Sequence, residues 1–182
     1  MSIEEVILVN DADEEMGTME KMEVHQKALL HRAFSVFLFN SNNEMLLQQR
    51  AMTKYHSGGL WTNACCSHPR PGETVESAAS RRTLEELGIR PVLRKAFSFT
   101  YRAEFDNGLT EHEFDHVFVG RFEGALFPDP EEVRDTCYMG MKDIREDLLS
   151  HPSKYTEWFK IAFQQVEQHM QLADWRIDEL AD

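Results

Sequence analysis

Residues 63–73 read NACCSHPRPGE: two adjacent cysteines, then a serine, then a histidine held by the proline that follows it. Three chemistries could use that pattern: half of a disulfide, a pair of soft metal ligands, or a reactive thiol beside a metal-bound imidazole. The chain has three cysteines, Cys65, Cys66 and Cys137. An odd count without a secretion signal argues against a disulfide scaffold. Neighbouring side chains point apart in an extended chain, so Cys65 and Cys66 are poorly placed to pair with each other. Adjacent cysteines also lack the C-x-x-C spacing of a cysteine-only zinc site, and there is no second pair.

Other residues offer metal and proton chemistry. On an expected strand over 109–119, Glu111, Glu113 and Asp115 share one face, and His112, Phe114 and His116 share the other. Two glutamates at i and i+2 can converge on one metal, or one can bind while the other shuttles a proton. An exposed strand alternating acids with apolar residues gives the same pattern, so both readings stand. His25 and His31 are six residues apart, which on a straight helix aims them about 120° apart. To share an ion the chain between them must bend; taken singly, each reads as an ordinary surface or core histidine. Three histidines (with His68) and two glutamates suit a borderline metal such as Zn or Mn. A second acid group, Glu85 and Glu86 with Glu73, accompanies Arg81 and Arg82. It could bridge Mg²⁺ to a phosphate, or it could support an exposed helix by i,i+4 pairing; the two are compatible. His56, His112, His116, His151 and His169 read as surface or satisfied core histidines.

These groups need a scaffold. At 182 residues the chain is expected to be one catalytic domain over 1–182. The formal net charge of -13 disfavours nucleic acid and anionic membrane surfaces as partners. Residues 50–95 nevertheless carry eight Lys/Arg against four Asp/Glu, which suits either a small anion or a mixed-charge helix face. No apolar run approaches the roughly 20 residues of a membrane span, and the acidic start lacks a leader's basic residues. A cytoplasmic protein is expected, monomeric or weakly dimeric. Alternation and turn residues predict strands over 5–9, 31–40, 45–51, 92–105 and 109–119, with Asp106-Asn107-Gly108 as a hairpin turn. Residues 52–64 read as loop and CYMGM (137–141) as a strand. Helices are predicted over 73–89, stopped by Gly88, then 143–150 and 156–175. The fold class expected is mixed α/β or α+β.

HRAFSVFLFN, LLQQRA, WTNACCSHP, the RRTLEELGI helix and Y-R-A…E-H-E-F-D together resemble the type I isopentenyl-diphosphate isomerases, metal-dependent relatives of the Nudix hydrolases. The resemblance runs from about Lys21 to Trp158. It implies a Nudix-like mixed sheet flanked by helices, with its core about 30–150 and extensions at both ends. The Nudix pattern falls on Glu73, Arg81, Glu85, Glu86 and Gly88. It departs at Ser67, where the box has glycine, and at Arg82, where a hydrolase has a glutamate. The resemblance implies that Cys66 is the catalytic thiol and that Glu113 is both metal ligand and acid/base, assisted by Tyr101. It also implies a first metal, Zn²⁺ or Mn²⁺ (or Mg²⁺), on His25, His31, His68, Glu111 and Glu113, with Glu86 helping Mg²⁺ bind the substrate diphosphate. Lys21, Arg50, Lys54 and Arg82 would contact that diphosphate. Trp158 would cover the hydrocarbon, although a core tryptophan on an amphipathic helix fits its sequence equally well. The implied ligand is an allylic or homoallylic diphosphate. On this reading Cys66 is a thiolate favoured by His68 and local cations, Cys65 is its structural neighbour, and Cys137 is a small buried apolar residue.

Overall fold

The computed structural model describes residues 3–172. In chain order the elements are β1 (Glu5–Val9), β2 (Glu15–Glu20), α1 (Lys21–Lys27), β3 (His31–Phe39), β4 (Glu44–Arg50), β5 (Trp61–Thr62), β6 (Cys65–Ser67), α2 (Val75–Leu87), β7 (Leu93–Glu104), β8 (Thr110–Arg121), β9 (Val133–Gly140), α3 (Met141–Ser150) and α4 (Glu157–Leu172). A short 3₁₀ turn at Pro152–Lys154 precedes α4. The expected end of the last helix at 173–175 lies outside the described residues.

The strand β3 organises the sheet. It runs parallel to β8, from His31 opposite Glu113 to Phe39 opposite Arg121. Its other edge is shared in turn by β1 at His31, β6 at Phe34–Val36 and β4 at Phe39. Both faces of β3 are covered, which explains its almost unbroken apolar sequence. Phe34, Val36 and Leu38 pack with Ala78, Leu87 and Phe118 under α2. Phe37 and Phe39 pack with Val117, Val119, Phe159 and Phe163 under α4. The result is an α+β arrangement with helices on both faces of a mixed sheet.

Local chemistry sets the helix ends. The Glu20 carboxylate caps α1 by accepting from the amides of Met22 and Glu23 at 2.9 and 2.8 Å. Thr74 caps α2 by accepting from the Ser77 amide, and Gly88 ends that helix at φ 70. A Cβ at Gly88 would stand 2.7 Å from that of Phe127, so both the backbone conformation and the close approach require glycine.

Several boundaries differ from the sequence expectation. The hairpin strand β2 and helix α1 occupy a stretch that showed no clear period, because an irregular strand leads directly into a seven-residue helix. The expected loop before the cysteines contains the two-residue β5, held by β4 at Gln48 and Gln49. The strand β9 begins at Val133 rather than at Cys137, because its pairing with β4 starts at Arg50.

Candidate active site

A lateral row of the sheet builds the centre of the site. His31 on β3 pairs with Glu113 on β8, and Glu113 pairs with Tyr101 on β7. Four residues further along β3, Ser35 pairs with Cys66 on β6. Period-two alternation puts His31, Ser35, Glu111, Glu113, Asp115 and Tyr101 on the α4 side of the sheet. Cys65 turns the other way, fully buried under α2, as expected.

His25 comes from α1. The bend required between His25 and His31 is present: Ala28 ends α1 in the left-handed region at φ 55. The two rings then meet with centroids 5.0 Å apart. The amide-like N–H at Nδ1 of His25 donates to the Lys21 carbonyl at 2.7 Å, and Nδ1 of His31 donates to the Leu29 carbonyl at 2.9 Å. These bonds fix the tautomer and leave each Nε2 lone pair facing inward, as backbone partners do for metal-ligating histidines.

Four donors, from His25, His31, His68 and Glu113, lie within 4.8 Å of one another. Nε2 of His68 is 2.9 Å from Glu113 Oε1 and 3.3 Å from His31 Nε2, and the His31–Glu113 separation is 3.4 Å. Ligands held about 2.1 Å from one ion stand roughly 3.0 Å apart in octahedral geometry and roughly 3.4 Å in tetrahedral geometry. The edges of the cluster therefore match a divalent metal. Its protonation also fits. Burial pushes His25 and His68 down to about 4, so both offer neutral nitrogens at pH 7. Burial acts to raise Glu113, but the imidazoles of His68 and His31 outweigh it and hold the carboxyl well below its usual range. The orphaned, buried Nε2 of His25 points the same way.

Glu111 stands apart from this tight group. Its Oε2 accepts from the Tyr101 hydroxyl at 2.7 Å, the same distance that separates the hydroxyl from Glu113 Oε2. Its Oε1 is 2.9 Å from Nε2 of His56. Glu111 thereby joins a second donor group with His25 and His56. No signal in the sequence marked His56. It sits alone in a glycine-rich loop with no period to give it a face.

Around Cys66 the finding differs from expectation. The thiol donates to Asn63 Oδ1 at 3.0 Å, lies 3.5 Å from Ser35 Oγ, and accepts from the Trp158 indole N–H at 3.0 Å. Burial, followed by the nearby Asp115 carboxyl, pushes the thiol well above its ordinary pKa. The sulfur is therefore a neutral thiol rather than a thiolate favoured by His68. Ser35 in turn donates to Asp115 Oδ2 at 2.6 Å, and burial drives Asp115 strongly upward. Trp158 is a core residue, as one reading had it, and it also lines the cavity. It is buried in the core under α4, and it presents its N–H to the sulfur and its ring to the Arg50 guanidinium at 5.1 Å.

A cavity of about 730 Å³ adjoins these groups. Of the residues singled out in the sequence, Cys66, His68, Tyr101, Glu111, Glu113 and Trp158 line it, together with Lys21, Arg50, Lys54, Arg82 and Glu86. His25 and His31 stand behind the lining, fully buried. Glu86 accepts from Gln48 at 3.0 Å and from Arg82 at 2.8 Å. Lys54 is paired with Glu132, and Lys21 with Glu4. Cys137 is half-buried on β9 and packs at the edge of the core under α4.

The NUDIX domain family matches residues 29–159. An isopentenyl-diphosphate Delta-isomerase of Pectobacterium atrosepticum is 46% identical over 171 residues, covering 94% of this chain and 96% of its own. One from Burkholderia multivorans is 49% identical over 156 residues, covering 86% of this chain and 89% of its own. Among solved structures, a protein from Deinococcus radiodurans superposes with a TM-score of 0.75 at 18% identity, covering 89% of this chain and 98% of its own. A MutT protein from Methanosarcina mazei does so at 0.64 and 18%, covering 76% and 94%. These last two show the fold. Matched along nearly its whole length by such relatives, the chain belongs to the isopentenyl-diphosphate Delta-isomerase family within the Nudix fold.

Proposed function

We propose that the protein interconverts isopentenyl and dimethylallyl diphosphate by moving protons between Cys66 and the Tyr101–Glu113 pair across a carbocation. The observation that carries this reading is the Tyr101 hydroxyl, 2.7 Å from both Glu111 and Glu113, in the same cavity as a thiol held by Trp158.

Shifting the double bond adds a proton to the terminal methylene carbon, which leaves a tertiary cation at C3, and removes a proton from C2. One group must give and another must take. From isopentenyl diphosphate, the Tyr101–Glu113 side gives the proton and Cys66 takes one. From dimethylallyl diphosphate, Cys66 gives a proton to C2 and Glu113 takes one from a methyl group. The resting pattern, a neutral thiol opposite an ionised carboxylate, is loaded for the second direction. Each turnover swaps the proton between the two sides, so the protein is ready for the reverse reaction after every forward one.

Divalent ions would supply positive charge, one (Zn²⁺, Mn²⁺ or Mg²⁺) fixing the Glu113 carboxylate among His25, His31 and His68, and Mg²⁺ brought with the substrate neutralising the diphosphate at Glu86. Lys21, Arg50, Lys54 and Arg82 bind the diphosphate, and that binding positions a small hydrocarbon that has no polar handle of its own. The Trp158 ring would shield the cation from water.

The test uses metal-loaded protein and isopentenyl diphosphate in D₂O, with NMR for the product and a phosphate assay in the same tube. Deuterated dimethylallyl diphosphate without phosphate release is expected. Phosphate release without deuterium would move the chemistry to the acids of α2.

A further inference from the structure

We propose that Asn63 is the positioning residue for Cys66, its side-chain oxygen fixing the direction in which the sulfur carries its proton. The inference rests on the proton chemistry proposed for that thiol and names the group that aims it.

Asn63 lies between β5 and β6. It is fully buried and does not line the cavity, so it acts on a substrate only through Cys66. Its carboxamide is saturated. Nδ2 donates to the Val36 carbonyl at 2.9 Å and to the Cys65 carbonyl at 3.0 Å. Oδ1 accepts from the Thr62 hydroxyl at 2.9 Å and from the Cys66 thiol at 3.0 Å. Turning the amide over would set its oxygen against two carbonyls and leave them unpaired in the core. The oxygen therefore has to face the sulfur.

The hydroxyls behind it point the same way. The Phe159 amide donates to Thr156 Oγ1 at 3.3 Å, Thr156 donates to Thr62 Oγ1 at 3.0 Å, and Thr62 donates to Asn63. Thr156 immediately precedes α4, the helix that carries Trp158, whose indole N–H donates to the same sulfur at 3.0 Å. The sulfur thus meets an amide oxygen that can only accept and an indole N–H that can only donate. Turning the thiol to another staggered position would lose both partners at once. The two Nδ2 bonds brace the pairing of Val36 with Cys65. The Oδ1 bond is made to the reacting atom itself.

The test reads the S–H bond. The Raman difference between metal-loaded wild type and Cys66→Ala isolates the S–H stretch of Cys66, which is expected below the frequency of a free thiol. A stretch at the free-thiol frequency, or none, would overturn the proposal, whatever the behaviour of variants. Asn63→Ala should move that stretch toward the free value and lower kcat by about 10²-fold, with KM within about 2-fold, because no diphosphate contact is touched. An unmoved stretch or an unchanged kcat in folded Asn63→Ala would overturn it, even if stability falls. Loss of activity in Cys66→Ala beside an unshifted wild-type stretch would overturn the role of Asn63 alone. Full activity in Cys66→Ala would overturn the proton chemistry beneath it.

Discussion

Two clusters of acids face the same cavity, and they are built in opposite ways. On the helix α2, every acid of the Nudix pattern already has a cation. Arg81 holds Glu73 with two bonds of 2.8 Å and reaches Glu85, while Arg82 pairs with Glu85 at 2.5 Å and with Glu86 at 2.8 Å. On the sheet, Glu111 and Glu113 meet only neutral-capable imidazoles and one phenol. A carboxylate satisfied by guanidinium must loosen that pairing before it can hold an ion, as Glu86 would when a metal diphosphate arrives. One surrounded by orphaned nitrogens is a site. Arg82 stands where a hydrolase of this fold has an acid, and the structure turns that replacement into charge neutralisation of its neighbours. The helix keeps its acids paired with arginine, and the proton chemistry proposed above lies on the strands.

Mutations can break that contrast. The largest effect is expected from Cys66→Ala, with isomerisation falling on the order of 10³-fold or more while zinc binding stays intact. Steady-state rates beside a metal assay check it, and near-normal turnover would return the reaction to α2. Acidifying the metal-free protein should come next. His25 and His68 hold folded values of about 4, against 6.5 for the unfolded chain. Between those values the unfolded state binds protons that the folded state does not. The contribution of these two groups is therefore full above pH 6.5 and is lost as pH falls toward 4, by at most about 3 kcal/mol per pH unit for the pair. His31, raised by Glu113 against the effect of its burial, adds stability that is present below 6.5 and is lost as pH rises above it. Thermal melts across this window, with and without zinc, read it directly. Added zinc should raise stability and steepen the dependence, because metal-bound histidines carry no proton in the folded state.

Tyr101→Phe should reduce turnover by about 10²-fold with little change in KM, because it removes the hydroxyl shared by Glu111 and Glu113 and touches no phosphate. Arg82→Gln should raise KM about 10-fold by removing one diphosphate contact, with no gain in phosphate release. A gain would show that only the guanidinium keeps the helix acids silent. The smallest effect is assigned to Glu73→Gln, a loss of about 1 kcal/mol in stability from weakening a partly exposed pair with Arg81, with activity preserved. Chemical denaturation would measure it.

Much of this was legible before any coordinates. The face shared by Glu111, Glu113 and Asp115 follows from period two alone, and the opposite aspects of Cys65 and Cys66 follow from the same rule. The bend between His25 and His31 follows from helical geometry. Other features were not legible, for physical reasons. His56 sits in an irregular loop, and its meeting with Glu111 depends on contacts across 55 positions of sequence. The neutral state of Cys66 depends on burial by Trp158, a residue 92 positions away. Local sequence carries cations near the thiol, but only tertiary packing decides whether solvent, a cation or an apolar wall reaches the sulfur.

The row that joins Tyr101, Glu113 and His31 has a consequence for how the protein is made. The pairing of β3 with β8 is parallel and spans 82 positions, so it closes one of the longest loops in the chain and forms slowly. A nascent chain released before β8 emerges has His25, His31 and His68 but no Glu113 to complete the cluster. A slip of one residue in that pairing would turn Glu113 to the opposite face. The donors of the cluster therefore come together only in chains whose β3 and β8 have met in register.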